Sequence, residues 1–159
     1  MHFPAIDPVF LRLGPLQFRW YGLMYVIGFV VSYFIMRNEA RHRQLELDNE
    51  AVADLIFCLA LGVVAGGRLG YVLFYDLGAY LNSPLKIFAI WQGGMSFHGG
   101  LLGVVVAGFW YSRRFGLPYL QLADLAALAA PVGLGLGRIG NFINGELFGR
   151  PTTDRKSVV

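Results

Sequence analysis

Four apolar runs, each about as long as a bilayer is thick, constrain this chain more than any other feature. A helix crossing the hydrocarbon core needs about 20 mostly apolar residues. The first run extends from Gly14 to Met36, and its stretch from Trp20 to Met36 carries no charge. The second covers Val52 to Tyr75 with Arg68 inside it. A third lies between Ile87 and Ser112, where the pairs Gly93, Gly94 and Gly99, Gly100 make its outer part a poor continuous helix. The fourth extends from Leu117 to Asn141 and holds Asp124, Pro131 and Arg138. These runs predict an all-α, polytopic membrane protein with about four transmembrane helices. Composition agrees: the 159 residues are 56% hydrophobic and 14% charged, whereas soluble domains run at about 25% charged. Disorder is excluded by the same balance. The net charge of +3 comes from basic clusters between the apolar runs, which points to orientation in a membrane and excludes nucleic acid as a partner.

Arg37, Arg41 and Arg43 follow the first run, Arg113 and Arg114 follow the third, and only Lys86 lies between the second and third. By the positive-inside rule the two arginine-bearing links are cytoplasmic and the N-terminus is outside. The first run is too long for a cleavable signal peptide and lacks a small-residue cleavage site. The single cysteine, Cys58, forbids an intramolecular disulfide and reads as a small hydrophobe.

An internal repeat appears on a shift of 70 positions. Asp54 and Leu55 align with Asp124 and Leu125, and Gly67, Arg68, Leu69, Gly70 with Gly137, Arg138, Ile139, Gly140. This suggests two helix pairs of similar design in a parallel repeat. Within each repeat Asp and Arg are 14 residues apart, about 21 Å along a helix, so they cannot pair within one span. Both Asp residues read as N-caps or first-turn carboxylates.

The two arginines are less easily explained, because an intramembrane guanidinium must pair, snorkel or line a polar cavity. Around Arg138 the stretch Gly133, Gly135, Gly137, Gly140, Asn141, Asn144, Gly145, Glu146 and Gly149 places amides and a carboxylate among glycines. That set suits an anionic headgroup, since a guanidinium grips a phosphate with two hydrogen bonds and amides complete the cradle. If the helix continues this far, Arg138 and Asn141 share a face at i and i+3. His98 stands in Met95, Ser96, Phe97, His98, Gly99, Gly100, where glycines leave room for a pocket, although a lone His on an apolar helix is ordinarily a hydrogen-bonded packing residue. Metal binding has no support, as His2 and His42 lie elsewhere. Ser96 with His98 is no protease pair, since no strand-turn-helix elbow surrounds the serine. Trp20 and Tyr21 fit an aromatic belt.

Three segments together closely resemble the bacterial prolipoprotein diacylglyceryl transferase family: Trp20 to Tyr25, His98 to Leu101, and Gly137 to Arg150. Gly66 to Tyr75 and Gly93 to Phe97 look like the same family. The resemblance covers residues 2–150 and implies an enzyme of the bacterial inner membrane with a periplasmic N-terminus. It would move diacylglyceryl from phosphatidylglycerol onto the lipobox cysteine of a prolipoprotein signal peptide, leaving a thioether and glycerol 1-phosphate, with no cofactor and no metal. By the same comparison Tyr21, His98, Arg138, Asn141, Glu146 and Gly149 occupy positions the family is known for. A thiol with an ordinary pKa near 8.5 benefits from a base, so His98 is expected as base and Arg138, with Tyr21, as catalytic partners. Arg138, Asn141, Glu146, Gly149 and Arg68 form the expected phosphatidylglycerol-binding set.

Members of that family are usually much longer, with more spans and a periplasmic head, and carry a further essential Arg and Tyr in the part absent here. Residues 151–159 resemble no part of the family and are expected to be a disordered tail. The chain thus reads as the N-terminal half of the transferase, inactive alone. The alternatives are an inactive truncated fragment or a non-catalytic lipid-binding or transport module.

Overall fold

The computed structural model describes residues 7, 9–13, 16–75, 77–89 and 93–145. The elements run β1 (Val9–Leu13), β2 (Leu16–Arg19), α1 (Trp20–His42), α2 (Asn49–Tyr75), the short α3 (Leu77–Asn82), a 3-10 turn (Pro84–Phe88), α4 (Phe97–Phe115) and α5 (Tyr119–Ile143). The chain divides into two compact units, one of residues 1–32 with 130–159 and one of residues 33–129.

In the first unit β1 and β2 pair antiparallel, with an irregularity between Val9 and Leu11. Asp7 accepts from Arg12 at 2.9 Å and from the Val9 amide at 2.9 Å, which ties the start of the ribbon. The first apolar run was expected to be helical from Gly14, but the helix begins only at Trp20. Leu16, Gln17, Phe18 and Arg19 alternate apolar and polar side chains, which suits a strand better than a spanning helix. The N-terminal part of α1 and the C-terminal part of α5 complete the unit. A Cβ on Gly28 would meet Gly133 Cα at 3.8 Å, an ordinary contact. Pro131 lies inside α5 and removes one intrahelical hydrogen bond.

The second unit has its buried core where the four long helices bring their ends together. Met36 and Ala40 of α1, Val52 and Leu55 of α2, Tyr111 of α4, and Leu122, Leu125 and Ala129 of α5 are buried there with Leu47. Tyr111 donates to the Ala51 carbonyl at 2.8 Å. Asp48, not Asp54, caps α2, accepting from the Ala51 amide at 2.7 Å. Asp54 and Asp124 are each the sixth residue of their helix, so the cap or first-turn role expected of them is corrected. Asp124 instead accepts from Arg43 at 3.3 Å, and Arg43 also reaches Glu39 at 2.6 Å. The 70-residue repeat extends to the helix starts at Asn49 and Tyr119.

Helices α2 and α4 pack antiparallel through a seam of small residues. Gly62 faces Gly103 and Ala107, Gly66 faces Gly99 and Gly103, and Gly70 faces Gly99 and Ser96. A Cβ on Gly66 would lie 2.7 Å from Gly103 Cα, and one on Gly70 2.7 Å from Gly99 Cα. Only glycine permits backbones this close, the usual device where lipid offers no hydrophobic drive between helices.

Among the described residues three helices are long and apolar enough to cross a membrane: α1, α2 and α5, with mean hydropathies of 1.3, 1.9 and 1.5. The third run is helical only from Phe97, where α4 starts; before it the described residues are a 3-10 turn at Pro84–Phe88 and non-helical backbone at 93–96, in line with the poor helix expected of its outer part. Gly93 and Gly94, at φ of 84° and 80°, are the break. At 19 residues, with Arg113 and Arg114 in its last turn, α4 is shorter than the other three. Large side chains such as Phe57 and Phe74 are 66% and 80% exposed, a pattern that lipid contact explains and water does not.

Candidate functional site

In the second unit the residues around His98 are set by two local devices. Ser96 caps α4, its Oγ accepting from the Gly99 amide at 3.2 Å. Its own amide donates to the Gly67 carbonyl at 2.9 Å, so the helix start is tied to α2. His98 is the second residue of α4 and is exposed, with its ring edge-on to Phe97 at 5.7 Å. Among the described residues its imidazole has no hydrogen-bond partner, unlike the bonded packing histidine that an apolar helix ordinarily carries. Ser96 is buried and its hydroxyl is engaged as the cap, in keeping with its exclusion as a nucleophile.

Arg68 is only 3% exposed. Its Nε donates to the Ile87 carbonyl at 2.9 Å, Nη1 to Gly93 and to Gly94 at 3.1 Å, and Nη2 to Lys86 at 2.6 Å and Ala89 at 3.2 Å. Tyr80 lies under the guanidinium carbon at 5.2 Å. A guanidinium has five N–H donors, and all of them are matched here. No donor is left for a phosphate in this arrangement, and Arg68 does not snorkel. It satisfies carbonyls that irregular backbone would otherwise leave bare in an apolar setting.

In the first unit, Tyr21 of α1 packs on Gly140 of α5, where a Cβ would lie 2.9 Å from Tyr21 Cδ2. The Tyr21 and Tyr25 hydroxyls are 2.9 Å apart and their rings meet edge to face at 4.9 Å. Helix α5 continues to Ile143, so Arg138 and Asn141 do share a face. Arg138 is exposed and Asn141 half-buried, and among the described residues neither side chain has a hydrogen-bond or ion-pair partner. Tyr21 is thus beside the segment that carries Arg138 and Asn141. Glu146 and Gly149 lie outside the described residues, as does the segment 151–159. The carbonyls that engage Arg68 could not be read from the sequence; the Gly93, Gly94 pair beside an intramembrane arginine was the only signal. Among the described residues no group of three or more His, Cys, Asp or Glu could hold a metal.

The family model described as prolipoprotein diacylglyceryl transferase matches residues 8–159. The chain belongs to this family. It is 64% identical over 152 residues to the phosphatidylglycerol–prolipoprotein diacylglyceryl transferase of Geobacter sulfurreducens, an alignment covering 96% of this chain and 58% of that one. With the enzymes of the same name from Nitratidesulfovibrio vulgaris and Pseudomonas fluorescens it shares 56% and 53% identity, over 95% and 94% of this chain and 57% and 56% of theirs. The chain therefore spans little more than half the length of these diacylglyceryl transferases. With three helices of spanning length, this member of the transferase family is a multi-pass protein of the bacterial inner membrane.

Proposed function

We propose that the chain carries the phosphate-holding and proton-accepting groups of an enzyme that transfers diacylglyceryl from phosphatidylglycerol to the lipobox cysteine of a prolipoprotein. The observation that supports this best is the contrast between its repeat-related arginines. Arg68 has every donor matched, while Arg138 stands exposed without a partner among the described residues. A bare guanidinium in a spanning helix costs a few kcal/mol or more, and an anionic headgroup is the ligand that would offset this.

In the reaction the prolipoprotein thiol gives its proton to His98 and the sulfur attacks the glycerol carbon. An S–C bond forms, the C–O bond to phosphate breaks, and the electron pair leaves on the phosphate oxygen as glycerol 1-phosphate. Arg138 meets the charge growing on that oxygen without reorganising, and Asn141 adds a neutral donor. Tyr21, beside Gly140, hydrogen-bonds the headgroup, and Glu146 and Gly149 complete the lipid site. The N-terminus faces the periplasm.

The experiment is His98→Gln in a full-length relative carrying these residues. Glutamine keeps size and one hydrogen bond but cannot take the proton, so thioether formation is expected to fall by about 10² to 10⁴ with lipid binding little changed. Near-normal turnover would remove His98 from the chemistry.

A further inference from the structure

The described residues between α3 and α4, 83–89 and 93–96, are irregular although they join apolar helices. A 3-10 turn at Pro84–Phe88 and two glycines at φ of 84° and 80° bring the chain to Ser96, and carbonyls in such backbone need partners that no helix supplies. Arg68 provides them, taking oxygens from Lys86, Ile87, Ala89, Gly93 and Gly94. One guanidinium thus gathers both ends of the segment. Two short ties pass that position into α4. The residue beside Arg68, Gly67, accepts from the Ser96 amide, and Ser96 Oγ accepts from the Gly99 amide. His98 lies between those two bonded residues. Tyr71, three residues beyond Arg68, closes against Gly94, where a Cβ would come within 2.6 Å of its ring.

We propose that Arg68 is a positioning residue: by holding the carbonyls of Lys86, Ile87, Ala89, Gly93 and Gly94 it fixes the first turn of α4, and through it the His98 imidazole, without itself meeting the lipid. This rests on His98 being the base. Lysine cannot replace it, because three donors on one flexible point cannot span five carbonyls set around a planar fork.

The test measures kcat and KM for phosphatidylglycerol in a full-length relative, with amide exchange read in the same samples. Arg68→Lys is expected to lower kcat between about tenfold and a hundredfold, the scale of a small misplacement of a reacting group. KM should stay within about threefold and exchange across residues 84–100 should quicken, while exchange in residues 104–112 of α4 stays slow and reports an intact fold. A raised KM at unchanged kcat would overturn the proposal and give Arg68 to the headgroup. Faster exchange at unchanged kcat would also overturn it, leaving a structural residue. His98→Gln separates the claims: full turnover there overturns the base assignment, whereas a crippled His98→Gln beside an unimpaired Arg68→Lys overturns the positioning role alone. Should Arg68→Lys fail to accumulate, Ser96→Ala removes only the cap and is expected to lower kcat at unchanged KM. Unchanged kcat in that variant would contradict the proposal.

Discussion

Arg68 and Arg138 are each the twentieth residue of a helix and carry the same neighbours in sequence, Gly before and Gly two places after. Their environments differ because the partners of Arg68 lie 18 to 26 residues downstream, on carbonyls rather than side chains. Sequence reading identifies a backbone carbonyl partner poorly, since every residue type has one. The face shared by Arg138 and Asn141 was legible, because helical spacing alone fixes it once α5 is known to run on to Ile143. The caps followed a different rule. Asp54 and Asp124 drew attention as charges near apolar runs, yet Asp48 was nearer the true helix start and took the cap.

At the scale of elements, hydropathy made α1, α2 and α5 legible, and the paired glycines marked the break before α4. The β1–β2 ribbon was missed because its second strand merges into the first apolar run, where alternation over four residues is swamped by the longer pattern. The α2–α4 seam carries its own prediction. Gly103→Val would drive a branched side chain into Gly62 and Gly66, and overpacking of this kind costs about 1–3 kcal/mol or more. Gly135→Ala, with nothing within 4 Å of its Cβ, should instead be neutral or stabilising by about 0.5–1 kcal/mol. Denaturant unfolding in mixed micelles measures both, and equal effects would contradict the seam as the contact that holds α2 to α4.

For the molecule as a whole, the arginines of residues 37–43 and 113–114 lie next to the links Arg43–Asp48 and Gly116–Pro118 at the buried end of the second unit, which the positive-inside rule assigns to the cytoplasm. Cysteines at Gln44 and Gly116, in a variant lacking Cys58, should be shielded from an impermeant thiol reagent in intact cells. Labelling at both would reverse the orientation and move His98 to the wrong side for a periplasmic substrate. The central claim is that Arg138 holds the lipid phosphate both before and during bond breaking. Its most direct measurement is glycerol phosphate release from phosphatidylglycerol by a full-length relative bearing Arg138→Lys, which keeps the charge but loses the bidentate grip. The account predicts a fall in kcat of about 10² to 10³ together with a raised KM for phosphatidylglycerol. Unchanged kcat and KM would contradict it.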